Sequence, residues 1–220
     1  MIFSVAIDGP AGAGKSTAAR ILAKMLGAIY LDTGAMYRTV ALAAIQRGID
    51  TGDGEALAKM IEEIEIEIKF DEEGQAVYLD GEPVNGLIRT PEVSLGASHV
   101  AVFPPVRHKM VEMQRRIASK STVVMDGRDI GTYVLKDAKY KFFLVATVEK
   151  RAERRYKEML EKGMEADLQS IVKDIKFRDD NDSNRTMAPL RQAEDAILID
   201  TTNQSIQEIV DEMAGYIDVS

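Results

Sequence analysis

The residues Gly9-Pro10-Ala11-Gly12-Ala13-Gly14-Lys15-Ser16 follow the pattern glycine, four variable residues, glycine, lysine, then serine or threonine. Each fixed type has a chemical use. Glycines let backbone N–H groups converge on a phosphate, and a helix starting at the loop's end adds positive potential there. Lys15 is then expected to reach the β- and γ-phosphates of a nucleotide, and the Ser16 hydroxyl to ligate Mg²⁺. Thr17 adds a second hydroxyl. The bland alternative is a glycine-rich turn that happens to carry Lys-Ser, which chance would supply in roughly one chain of this size in a hundred. A strand before the loop and a helix after it argue against that alternative.

Three further groups of residues could handle anions. Leu31-Asp32-Thr33-Gly34-Ala35-Met36-Tyr37-Arg38 places the Thr33 hydroxyl and Arg38 near a helix start. Asp126-Gly127-Arg128-Asp129 follows an apolar strand and puts a cation beside two carboxylates, although a surface ion pair would read the same way. Arg178, Asp182 and Arg185 stand at i, i+4 and i+7, and Arg151, Arg154 and Arg155 at i, i+3 and i+4. Intrahelical salt bridges, such as Arg178 with Asp182, are the plain reading of those two sets. Histidine offers little, since only His99 and His108 occur and neither has the partners of a triad.

The elements that must position these groups can be read from hydropathy. Ile2 to Ile7 is an apolar run ending at Asp8-Gly9-Pro10, consistent with an interior strand. A helix is predicted from Ser16 to a stop at Gly27, a short strand over Ile29 to Leu31, and a helix from Ala35 to Arg47. Ile64, Ile66, Ile68 and Phe70 alternate with charged residues, the pattern of a half-exposed strand. A turn at Asp71-Glu72-Glu73-Gly74, a returning strand over Ala76 to Leu79 and a further turn at Asp80-Gly81 make a small antiparallel meander. Pro104-Pro105 opens a helix to about Ser119, and Thr122 to Met125 and Tyr140 to Thr147 read as strands. Helices over Glu149 to Lys162 and Asp167 to about Asn184, a strand over Ala196 to Asp200 and a helix over Ser205 to Tyr216 complete the chain. Buried strands alternating with helices predict an α/β fold, a mainly parallel sheet covered on both faces. Ligands of such sheets bind outside the carboxyl ends of the strands, where the phosphate loop and the turns at Asp32 and Asp126 all fall.

Composition narrows the partners. The 220 residues are 45% hydrophobic and 29% charged, ordinary for a globular enzyme. There is no cysteine, which excludes disulfides and thiolate metal sites. A net charge of −8 argues against a nucleic-acid polymer as main partner. No apolar run approaches the roughly 20 residues of a membrane span, and the N-terminus lacks signal-peptide features. A cytoplasmic monomer is the expectation. A GTPase is disfavoured because no Asn-Lys-x-Asp segment occurs.

The segments IDGPAGAGKST, LDTGAMYR, IRTPEVSLGASHVAVFPPVR, DGRDIGT and RDDNDSNRTMAPL, in that order, make the chain similar to bacterial cytidylate kinases over nearly its full length. The resemblance implies a P-loop kinase fold, with residues 1–220 as one unit. It places a nucleoside-monophosphate-binding insertion at about 60–105 and a helical lid at about 150–167. It implies transfer of the γ-phosphate of ATP to CMP or dCMP, with Mg²⁺. It further implies that Ser98, Arg107 and Asp129 contact cytosine, that Arg38, Arg128 and Arg185 hold the acceptor phosphate, and that Arg178 and Asp182 lie near the ribose. Lys15, Arg128 and Arg185 would be catalytic, and Arg151, Arg154 and Arg155 would face ATP from the lid. The sequence Asp180-Asn181-Asp182-Ser183 departs from relatives that often carry more arginine there. A kinase for UMP, AMP or a hydroxy acid is the nearest rival, and a regulatory ATPase the rival from another class. Acceptor choice rests on a few pocket contacts, of which the DGRD turn and the inserted meander favour CMP.

Overall fold

A computed structural model of the chain describes residues 2–71 and 74–218. Five parallel strands form the main sheet: β1 (Ser4–Asp8), β2 (Ile29–Asp32), β6 (Val123–Gly127), β7 (Tyr140–Val145) and β8 (Ile197–Asp200). Their spatial order is β2-β6-β1-β7-β8. The chain therefore crosses from the centre to one edge, returns, and then builds the other edge. Val5, Ala6 and Ile7 are wholly buried, as a central strand covered on both faces requires.

Each face has its own core. Helices α1 (Lys15–Leu26) and α8 (Ile206–Gly215) cover one side through Ala18, Leu22, Ile209 and Met213, packed on Val5, Ile7 and Phe142. Helices α2 (Thr33–Gln46), α3 (Gly54–Glu63), α4 (Pro91–Val100) and α5 (Pro104–Ala118) cover the other, on Ala6, Leu31 and Met125. Alternation along the strands sorts these sets, since Ala6 faces away from Val5 and Ile7. Side-chain caps start most of these helices: Asp32 accepts from Ala35 N–H, Asp53 from Glu55 and Ala56 N–H, and Thr90 from Val93 N–H.

The antiparallel meander is present as β3 (Ile66–Asp71), β4 (Gly74–Leu79) and β5 (Glu82–Pro83). The expected turn at Asp71 to Gly74 includes Glu72 and Glu73, which lie outside the described residues. Ile66, Val77 and Leu79 pack on the α2 side of the main core. Helices α6 (Val148–Glu161) and α7 (Leu168–Asn184) pair around Ala152, Ile171 and Ile175, a small cluster separate from both main cores.

Several sequence expectations need correction. Helices α3 and α4 were not anticipated. Leu57, Met60 and Ile61 of α3 stand at helical spacing after a capping Asp53, so the signal was there. In α4, Gly96 breaks the apolar pattern because it is a contact point: a β-carbon there would stand 3.2 Å from Ala41 Cβ. The segment after Asp129 forms a single π-type turn, Ile130–Val134. Finally, α7 stops at Asn184, so Arg185 is extended (φ −62°, ψ 140°) and does not continue the helical face of Arg178 and Asp182.

Candidate active site

The carboxyl ends of β2, β6 and β1 are neighbours, and in register Asp32 pairs with Asp126 and Asp8 with Gly127. The phosphate loop, the Thr33 helix and the Asp126 turn thus leave the sheet side by side. They open on a cleft of about 1800 Å³.

The loop between β1 and α1 is built from backbone. Gly9 has φ +142°, and a β-carbon there would come within 2.0 Å of the Leu144 carbonyl oxygen, so only glycine fits. Gly14 caps α1 with φ 91° and no side-chain hydrogen bond. The first N–H groups of α1 are therefore left without a side-chain acceptor, which is what an arriving phosphate needs. Lys15 is buried and its Nζ donates to the Pro10 carbonyl at 2.8 Å. Burial, then the nearby Arg128 cation, push the Lys15 ammonium down to about 7, against the pull of Asp126 and Asp8.

Ser16 Oγ donates to Asp126 Oδ2 at 2.8 Å, and the Tyr30 hydroxyl to Asp126 Oδ1 at 2.9 Å. Burial, then Asp32, raise the Asp126 carboxyl. Hydroxyl and carboxylate oxygens at the mouth of a phosphate loop suit Mg²⁺, which takes few protein ligands and fills its octahedron with water and phosphate oxygens. Among the described residues no cluster of three or more His, Asp or Glu could hold a metal alone. The residues thus fit a metal that arrives with a nucleotide.

The opposite wall is made of side-chain charge. Asp129 is buried between two arginines: Arg107 Nη2 donates to its Oδ2, and Arg185 Nη2 to its Oδ1 at 2.8 Å. Arg107 has no exposed surface, also donates to the Ala101 carbonyl, and lies 5.7 Å from the Tyr37 ring centre, so it stands behind Asp129. Arg128 Nε donates to Asp182 Oδ2 at 2.7 Å, tying the β6 turn to α7. Burial alone would raise the Asp182 carboxyl, but Arg128 and Arg185 hold it below the usual range. Arg38 donates to Asp32 Oδ2 at 2.8 Å, and Arg89 reaches the same oxygen at 3.4 Å. Thr33 Oγ1 donates to the Asp126 carbonyl at 2.7 Å. Ser98 is buried on the cleft wall, its carbonyl bonded by Asn181 Nδ2 at 2.8 Å.

Arg178 stands apart. It lines the cleft, its Nε is buried without a hydrogen-bond partner, and among the described residues it makes no ion pair. Burial, then Arg128, push its guanidinium down to about 10. A buried cation held beside another cation is poised for an anion. The three α6 arginines divide. Arg154 and Arg155 line the cleft. Arg151 is buried beneath the loop, donating to Ala11 and Ala146 carbonyls and to both Asp179 oxygens.

Sequence reasoning quoted Asp32 and Asp126 inside motifs and gave neither a role, and it gave none to Tyr30 or Arg89. Their signal is three-dimensional: register brings Asp32 beside Asp126, and only then do Ser16, Tyr30, Arg38 and Arg89 converge on the two.

The chain is similar to known proteins over nearly its whole length. The family model for cytidylate kinase matches residues 5–219. The cytidylate kinase of Shouchella clausii is 51% identical over 209 residues, covering 95% of this chain and 93% of that protein. The cytidylate kinase of Clostridioides difficile strain 630 is 49% identical over 215 residues, covering 98% of each. A crystal structure of an uncharacterized protein from Eubacterium ventriosum aligns over 99% of both chains with a TM-score of 0.55 at 13% identity, which shows a shared fold. On the family match and on relatives of about half identity over nearly its whole length, the chain belongs to the cytidylate kinase family.

Proposed function

We propose that the chain transfers the γ-phosphoryl group of ATP to CMP or dCMP, giving ADP and CDP or dCDP. The observation that carries this reading is one cleft with two unlike cationic walls. A backbone phosphate loop with Lys15 lies on one side, and Arg128, Arg178 and Arg185 lie on the other. Two polyanions have to meet in line for this reaction, and neither wall alone would bring them together.

In this reading Gly9 to Thr17 hold the ATP phosphates, with Arg154 and Arg155 above them and Arg151 bracing the loop from below. Ser16 and Asp126 would hold Mg²⁺, which would supply positive charge to the donor phosphates. Lys15 and Arg128 neutralise the transferring group. Arg38, Arg128 and Arg185 hold the acceptor phosphate, and Arg178 and Asp182 approach the ribose. Ser98 and Asp129, with Arg107 behind them, read cytosine. Each Asp129 oxygen keeps a lone pair beyond its arginine bond, so it can still accept from the exocyclic amino group. An acceptor phosphate oxygen attacks the γ-phosphorus while the bond to the β-phosphate oxygen breaks. That oxygen is already ionised, so no general base is required. Most of α6 and the segment that joins it to α7, residues about 150–167, form the lid that excludes water, an assignment supported by the small separate core that α6 shares with α7. A monomer is the proposed state. Among the described residues no helix is long and apolar enough to cross a membrane, and the cytoplasm is the proposed location.

The test is ADP formation from Mg-ATP with CMP, dCMP, UMP, AMP, GMP, TMP and shikimate offered in turn. Strong release with CMP and dCMP is expected. Equal release with UMP or AMP would overturn the base-reading roles of Ser98 and Asp129.

A further inference from the structure

Asp8 ends β1, is buried, and does not line the cleft. Its two oxygens are both taken: Oδ1 accepts from Ile130 N–H and Oδ2 from Gly131 N–H, each at 2.8 Å. These amides open the π-type turn Ile130–Val134, whose first position is preceded by Asp129 (φ −143°, ψ 26°). An aspartate at that position ordinarily folds its carboxylate back onto the first amides of the turn. Asp129 makes no such bond, because its oxygens face Arg107 and Arg185.

We propose that Asp8 is a positioning residue for the acceptor: it caps the Ile130 turn from a different strand and so leaves the Asp129 carboxylate free for the arginines and the base. This deepens the reading of the site given above and rests on it. The two aspartates divide one task. If Asp8 lost its amide bonds, Asp129, at the position before the turn, could take the Gly131 N–H as an ordinary cap does, and folding back would withdraw it from Arg107 and Arg185. Asp8 is an expensive choice for a purely structural cap. Burial pushes its carboxyl up to about 6, raised further by Asp129 and held down by the two amides and by Lys15. Because Asp8 does not line the cleft, the lone pairs its oxygens keep beyond the two amide bonds do not face a metal or phosphate there.

The test uses the full-length protein and Asp8→Asn, measured by CMP titration without ATP and by steady-state kinetics. Loss of a charged acceptor for a buried amide should raise the Kd and KM for CMP about tenfold or more, with the KM for ATP within about twofold. A purely structural residue would shift both nucleotides together. In an Asp129→Ala background, Asp8→Asn should add less than about twofold, because the group it positions is gone. Asp8→Glu provides an independent arm, since its added methylene keeps the charge but moves the carboxylate out of step with the Ile130 and Gly131 amides. That variant should raise the KM for CMP about two- to fivefold by disturbing the same bond, and it decides the matter alone if Asp8→Asn does not fold. Unchanged CMP affinity in whichever of the two variants fold, or full additivity with Asp129→Ala, would overturn the proposal. A wild-type protein that turns over no CMP would instead overturn the reading beneath it.

Discussion

The two walls of the cleft are made in opposite ways. The side proposed for the donor is local backbone: glycines at Gly9, Gly12 and Gly14, an uncapped helix, and one lysine bonded within its own loop. The side proposed for the acceptor is long-range side-chain charge. Asp129 is gripped from 22 residues upstream and 56 downstream, and Arg128 pairs with a carboxylate 54 residues away. A backbone cradle needs no partner in order to exist. A buried ion pair does, because each charge loses its solvation and must regain it from the other. The donor wall should therefore lose function without losing the fold, while most of the acceptor wall should lose both.

Asp129→Ala is the severest break in that contrast. It leaves Arg107 fully buried without its carboxylate and should cost about 3–5 kcal/mol of stability, read by denaturant unfolding. CMP use should fall far more than ATP binding. Equal loss of both would make Asp129 a structural residue only. Lys15→Ala sits on the other wall and should lower turnover at least about 10²-fold, with the thermal midpoint preserved. Unchanged turnover would remove the cradle from the chemistry. Gly9→Ala is the exception that sharpens the rule. A methyl 2.0 Å from the Leu144 carbonyl oxygen forces the loop away from β7, so about 2 kcal/mol or more should be lost along with ATP affinity. Arg178→Ala is the converse exception on the acceptor wall. With no carboxylate to abandon, it should weaken CMP about tenfold while unfolding stability stays within about 0.5 kcal/mol.

The smallest expected effect is a proton. With Lys15 near 7 in the free site, much of it is neutral at pH 8, and an ATP phosphate beside it raises it again. ATP binding at pH 8 should therefore take up as much as about one proton, and affinity should weaken as pH rises above 7. Calorimetry in two buffers of different ionisation enthalpy measures the uptake, and Lys15→Met should abolish it.

The same contrast explains what could be read from the sequence. The strand, loop and helix of the phosphate loop were legible, since they are contiguous from Ile2 to Gly27 and their physics is local. The parallel sheet and the meander followed from hydropathy. The acceptor residues were quoted in their motifs, but their partners were not foreseen. The i, i+4 spacing of Arg178 and Asp182 left an intrahelical pair open as the bland alternative to a substrate-facing cluster. In the structure Asp182 turns instead to Arg128, which approaches from β6. Arg151 shared a helix face with Arg154 by spacing, yet it lies beneath the loop, because Asp179 of α7 offers it a bidentate carboxylate. Asp8 looked like a strand end, and only the fold brings the Ile130 and Gly131 amides to it.

The most direct test of the account is the stoichiometry of products with ATP and CMP both present and with each omitted. The account predicts that CDP and ADP appear in equal amounts and that neither forms at an appreciable rate without both substrates. ADP released at a comparable rate without CMP would show that the two walls do not act on one reaction, and would contradict it.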